Sequence, residues 1–227
     1  MPPIPCPFLG PSTDSSPRLD PALWPDGPSA VLGQAWLPVP EPAFRAAQVW
    51  AGWTPDTLHL RAVLEDDDIA NSARGERQAT WETGDVFEIF LRPQGQDAYF
   101  EFHITPENET LRVRFPSAAY FDAMALAYPR NPSWVFDLSL SPSAFQSATL
   151  IDPAARRWTA AAAIPFATVL ENGESCPARP WLASFCRYDT TRGRPGAVLS
   201  SSSAYESGPR FHQQSAWNEL NFLSAPS

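Results

Sequence analysis

Cysteine is scarce in this chain of 227 residues, and the three present, Cys6, Cys176 and Cys186, show neither CxxC nor Cys/His ligand spacing. That argues against a disulfide framework and a zinc site, and it fits a reducing compartment. Long apolar runs are missing as well; none approaches the roughly 20 residues that a membrane-crossing helix requires. Positive charge is in deficit, with 16 Lys and Arg against 25 Asp and Glu and a net charge of −9. Such a balance leaves no basic footprint for a phosphate backbone, so neither nucleic acid nor a membrane is an expected partner. The opening MPPIPCPFLG has no positive n-region and no unbroken apolar core. The expectation is a cytoplasmic protein, or an extracellular one whose leader has already been removed. Catalytic signatures are absent too: there is no G-x-S-x-G, no P-loop, no H-E-x-x-H and no G-x-G-x-x-G.

What is abundant is proline, with 26 residues spread from end to end, together with 14 Phe and 9 Trp. Each proline removes a backbone donor and fixes φ, which breaks long helices and suits short strands joined by turns. The aromatic content supplies a core that a single domain of this length can bury. Residues 1–17 are rich in Pro and Ser without periodicity and are expected to form an arm outside the core. Residues 18–227 are expected to form one domain.

Period-two alternation carries the fold assignment. In TLHLRAVLE, Leu58, Leu60, Ala62 and Leu64 alternate with His59, Arg61 and Val63, and QVWAGW before the turn TPD predicts a hairpin partner. In DVFEIFL, Phe87, Ile89 and Leu91 share one face while Val86, Glu88 and Phe90 share the other. In AYFEFHI, Phe100, Phe102 and Ile104 oppose Tyr99, Glu101 and His103; in TLRVRF, Leu111, Val113 and Phe115 alternate with Arg112 and Arg114. Joined by the turn PENE, these strands are expected to gather Glu88, Tyr99, Glu101, His103, Arg112 and Arg114 on one polar face. Further strands are predicted in RRWTAAAAIP, WLASFCRYD and FHQQSAWNELNFL, with one or two short helices, of which AAYFDAMALAY is a candidate. The fold class is all-β, an antiparallel sandwich.

Four segments in order, VWAGWTPDTLHLRAVLEDDDI, TWETGDVFEIFL with AYFEFHI, RRWTAAAAIPF, and WLASFCRYD with FHQQSAWNELNF, together resemble the family 9 carbohydrate-binding modules. The resemblance spans about residues 48–222 and implies a jelly-roll-like sandwich that binds a mono- or oligosaccharide and performs no chemistry. It places Trp81 at the position of a sugar-stacking tryptophan and Phe211 at that of the facing aromatic. Stacking suits a pyranose because its ring faces present C–H patches while its hydroxyls point to the edge. Glu101 and His103 stand where the family carries an arginine and an asparagine, and Arg187 keeps a family arginine. Ser184 replaces an asparagine, and Ala161 replaces a glutamate. With Arg112, the candidate ligand contacts are Trp81, Phe211, Glu101, His103, Arg112 and Arg187.

Four other readings compete. The acidic run Glu65–Asp68 offers hard oxygen ligands for a structural calcium, or else forms a solvated turn; no other cofactor is expected. Asp85 and Glu88 lie three apart in a strand and face opposite ways, so a glycosidase would have to pair Glu88 with Glu101 across strands. A sandwich that has lost sugar binding and serves protein interaction is the alternative that the substitutions at Glu101, Ala161 and Ser184 suggest. Haem would need Met124 as a ligand, in the least regular part of the chain.

Overall fold

The computed structural model describes residues 2–75, 77–171 and 180–224. Cys176 falls outside them, whereas Cys6 and Cys186 are buried free thiols. Two β-sheets face each other. The smaller runs β2 (Ala30–Val31), β3 (Ala47–Thr54), β4 (Thr57–Glu65), β9 (Arg157–Pro165) and β8 (Gln146–Asp152) in spatial order. In the larger, the order is β1 (Ile4–Cys6), β12 (Asn218–Phe222), β10 (Trp181–Asp189), β5 (Val86–Pro93), β6 (Tyr99–Ile104) and β7 (Thr110–Phe115). A further strand, β11 (Val198–Ser201), continues the β12 edge of β10.

The core between the sheets is built from the predicted inward faces: Leu58, Leu60, Ala62 and Leu64 of β4 meet Phe87, Ile89 and Leu91 of β5 and Phe100, Phe102 and Ile104 of β6. Removing each of these side chains from water stabilises the fold by about 1.5–3 kcal/mol. Helices are more numerous than the one or two expected. Besides α1 (Thr80–Thr83), α2 (Ala118–Ala127) and α3 (Phe166–Val169), four 3-10 turns occur among the described residues, the longest over Pro132–Leu138. Proline supplies the reason, since several of these turns begin on one, where the missing N–H costs nothing.

The N-terminal arm, expected outside the core, is part of it. Ile4 and Cys6 are buried, and β1 pairs in parallel with β12 through Ile4↔Leu220 and Cys6↔Phe222. Beyond it, Leu9 packs on Gly52, its N–H bonds the Trp53 carbonyl at 2.8 Å, and the Leu19 carbonyl accepts from Arg61 Nε at 3.0 Å. The arm thus straps the outer face of the smaller sheet. Its prolines conceal a three-residue strand because that strand needs only alternate residues to face inward.

A second correction concerns β7. The register pairs His103 with Leu111, Glu101 with Val113, and Phe102 with Arg112. Arg112 and Arg114 therefore lie on the core side of the sheet, not beside Glu101 and His103. A four-residue PENE turn would have set Arg112 opposite His103. The connection instead takes in Thr105 and closes on the Ile104↔Thr110 pair, with Asn108 at φ 63°. One added residue turns every side chain of the strand over. Because β7 is an edge strand, its arginines reach the rim: Arg114 pairs with Glu171, and Arg112 bonds Thr110 Oγ1 at 2.6 Å and the Leu140 carbonyl at 3.3 Å.

Candidate functional site

The inversion of β7 turns Leu111, Val113 and Phe115 outward, and they nucleate a second apolar cluster on the far side of the larger sheet. α2 and the Pro132–Leu138 turn cover it, contributing Phe121, Trp134, Val135 and Phe136. Between this wall and the 209–215 loop opens a cleft of about 980 Å3. Its floor is the outer face of β5 and β6, where Phe90 stands opposite Glu101, and Glu88 opposite His103.

Trp81 reaches the cleft rim from the single turn of α1. No side chain caps this turn; Asn71 holds it instead, donating from Nδ2 to the Thr80 and Asp85 carbonyls at 2.9 Å each and accepting from Thr83 Oγ1 at 2.8 Å. The half-buried indole meets His103 edge to face at 5.6 Å between centroids, and Thr80 Oγ1 shares a 2.7 Å hydrogen bond with His103 Nδ1. That bond orients the imidazole so that Nε2 points at the two glutamates: 2.5 Å to Glu101 Oε1 and 3.3 Å to Glu88 Oε1. Burial opposes charge on His103, yet Glu88 and Glu101 together raise its pKa. Burial also opposes charge on Glu101, but His212 and His103 hold its carboxyl below the usual range. Glu88 has the weaker partner, and burial pushes it up to about 8. The floor is accordingly a Glu101–His103 ion pair beside a buried acid.

The far wall is aromatic. Phe211 is only 5% exposed and packs on Phe90, Tyr188 and Tyr205 at 5.7–6.4 Å, while its carbonyl accepts from Trp217 Nε1 at 2.8 Å. His212 lies face to face with Phe121 at 3.6 Å and shares a 2.9 Å hydrogen bond with Tyr99 OH; its Nε2 stands 3.7 Å from Glu101 Oε2. Of the six candidate contacts, the structure thus brings together Trp81, Phe211, Glu101 and His103. Phe90, Tyr188, His212 and Phe121 join them without having been singled out. For Phe90 the alternation placed it beside Glu88; for Phe121 and Trp134 the only sequence signal was aromatic density in a segment lacking regular period.

Arg112 and Arg187 are elsewhere, both on the core side. Arg187 pairs in register with Phe87 and sends its guanidinium into a buried acidic cluster, with Nη2 3.0 Å from Asp66 Oδ2 and 3.2 Å from Asp189 Oδ2. Asp85 completes the cluster, accepting the backbone N–H groups of Ala70 and Thr190 at 2.7 Å each. Ser184, on the opposite face, is occupied by Ser203, Tyr205 and Ser201 hydroxyls at 2.8–3.2 Å.

Only Asp66 of the acidic run enters this cluster. Asp67 pairs with Arg45 and Arg156, and Asp68 with Arg192. Carboxylate oxygens of Asp66, Asp85 and Asp189 lie within 4.8 Å of one another, and Asp189 Oδ2 has no hydrogen-bond donor. All ionised, three carboxylates against one guanidinium would leave two negative charges out of water, which a hard divalent cation such as calcium can balance. Burial, with Asp66 adding to it, pushes Asp85 up to about 8, and burial pushes Asp189 up to about 6 against the pull of Arg187. Raised carboxyl values mean that the fold binds protons that the unfolded chain has released. This stabilisation is therefore complete below the ordinary Asp value of about 3.9 and is lost as pH rises through the folded values. In chelator, the melting temperature is expected to fall by several degrees between about pH 5 and about pH 8, and saturating calcium should remove most of that fall. Calorimetric melts that decline equally with and without calcium would exclude a cation here.

No family model and no curated protein sequence matches the chain. Solved structures do. A presumed carbohydrate-binding protein from Bacteroides uniformis superposes with a TM-score of 0.67 at 17% identity, over 96% of this chain and 97% of that one. A family 9 carbohydrate-binding module from Caldicellulosiruptor kristjanssonii gives 0.60 at 13% identity, over 98% of this chain, in its glucose complex (96% of that chain) and its cellotriose complex (94%). The chain shares its fold with these structures. At these identities the likeness extends to the sandwich and its length, and what the cleft holds must be argued from its own side chains.

Proposed function

We propose that the chain is a non-catalytic sugar-binding module of the family 9-like, jelly-roll type, taking a mono- or oligosaccharide into the cleft above β5 and β6. The observation that carries this reading is the cleft itself. A half-buried indole stands at one rim, rings line the floor and far wall, and hydrogen-bonding groups come from Glu88 and Glu101 on the floor and from polar side chains around it, among them Arg130, Arg210 and Gln213. Trp81 would cover one C–H face of a pyranose, with Phe90 and Phe211 below and across from it, while Glu88 and Glu101 take hydroxyls. Arg112 and Arg187, on the other side of the sheet, have no part in it. A hydrolytic role finds no support in the geometry, because Glu88 and Glu101 converge on His103 instead of flanking a gap that would admit a glycosidic bond.

Trp81→Ala is expected to weaken binding of glucose or cello-oligosaccharides by about 1 kcal/mol or more, roughly fivefold or greater, in calorimetric titration. Unchanged affinity would remove the indole from the site. The low exposure of Phe211 favours one rival, a scaffold whose aromatic wall is structural. Absence of binding across neutral hexoses, pentoses and their short oligomers would put that rival first.

A further inference from the structure

The cleft floor is unusual for a neutral sugar because it offers acceptors and few donors. Glu88 is 97% buried and lines the cleft, yet its only polar contact among the described residues is the 3.3 Å approach of His103 Nε2. Glu101 Oε1 is already taken by that same nitrogen, and Glu101 Oε2 has only His212 Nε2 at 3.7 Å, beyond hydrogen-bond range. One oxygen from each glutamate therefore shares a single ring nitrogen. With Glu101 and the His103 imidazolium paired and Glu88 holding its proton, the floor is neutral, and giving up that one proton leaves a single negative charge at the bottom of an aromatic-walled cavity. Arg92, the next residue after Phe90 on the same face of β5, also lines the cleft, but it donates to Gln214 Oε1 at 2.7 Å. A buried carboxyl with so weak a partner suits a ligand that supplies both donors and the positive charge that ionises it.

We infer that the ligand is an amino sugar with a free, protonated amine, held with its ammonium on Glu88 and Glu101 and its ring against Trp81 and Phe90. An ammonium gives three donors and accepts nothing, the complement of this floor, and its single charge balances the one Glu88 takes on when it ionises. The rings add attraction for a cation lying along their faces. A neutral hydroxyl in the same place supplies one donor and no charge, so Glu88 would keep its proton and gain no ion pair. An N-acetylated amine has lost the charge and adds bulk. This inference rests on the sugar-binding reading and narrows its ligand class.

The test is a calorimetric panel on the wild-type chain with glucosamine, its β-1,4-linked dimer, glucose, cellobiose and N-acetylglucosamine, at a pH where the free amine is protonated. Glucosamine or its dimer should bind at least about tenfold more tightly than the matching neutral and N-acetylated sugars, the scale of one charge-assisted hydrogen bond. Glu88→Gln, checked for an unchanged fold by its melting curve, should bring the amine and hydroxyl sugars to similar affinity. Neutral sugars binding as tightly as glucosamine, with dependence on Trp81, would overturn the amine and keep the sugar cleft. No binding by any sugar would overturn both. Zinc binding that Glu101→Gln abolishes, with no preference for the amine, would overturn it in favour of a metal held by Glu88, Glu101 and His103.

Discussion

Arg187→Met is expected to destabilise the fold by about 3–5 kcal/mol, the scale on which a broken buried ion pair leaves its partners uncompensated. The guanidinium is almost fully buried and reaches two carboxylates of the Asp66, Asp85 and Asp189 cluster, at 3.0 and 3.2 Å. Methionine keeps much of the stem's packing and removes the charge, so the loss reports electrostatics more than a cavity. For a chain of this size the change corresponds to a melting temperature lower by roughly 10 °C or more. Saturating calcium should recover part of it, because a divalent ion takes over the neutralising role. Denaturant unfolding would measure the effect directly. A variant within about 0.5 kcal/mol of the wild type would mean that the cluster holds its charge down by protonation alone.

Gly84→Ala is expected to cost about 3 kcal/mol or more and to impair the cleft as well. Gly84 has φ 151°, and a Cβ there would stand 2.3 Å from the Ala70 carbonyl oxygen and 2.6 Å from Asn71 Cα. These are backbone atoms of a fixed bridge, since Gly84 pairs with Asn71 and the Asp85 N–H bonds the Ala70 carbonyl at 2.9 Å. Relief requires moving the strip that anchors α1, and with it Trp81. Gly52 is the control: the three atoms nearest a Cβ there belong to the Leu9 side chain, the first at 2.6 Å, which can rotate or lift with the arm. Gly52→Ala should therefore cost less than half as much and leave sugar binding intact. Equal melting temperatures for the two variants would refute the argument that Gly84 is held between rigid backbones.

Much of the architecture was legible because one face of each strand is buried. Period two in TLHLRAVLE, DVFEIFL and AYFEFHI placed ten of the core side chains correctly, and it set Glu88, Glu101 and His103 on a common face. Their contact is cross-strand proximity, which alternation predicts whenever two strands are neighbours. The opposite facing of Asp85 and Glu88 also followed: one lies in the acidic cluster and the other on the cleft floor. Arg112 went astray because facing in a hairpin depends on the parity of its loop, and TPENE can close with four residues or five.

The aromatic wall and the acidic cluster were the least legible. Phe121 and Trp134 sit in a helix with no buried residue and in a 3-10 turn, neither with a period that marks one face. Asp66, Asp85 and Asp189 come from three strand ends up to 123 positions apart in the chain. By itself the sequence determined the strands, their inward faces and the aromatic and acidic character of the strand that floors the cleft, since these follow from alternation and local turn chemistry. Tertiary structure alone decided that β7 turns its arginines away, that Arg187 serves a buried carboxylate cluster, and that a second apolar cluster walls the cleft. Those outcomes depend on loop closure and on which distant strand ends meet, and no window of neighbouring residues contains that information.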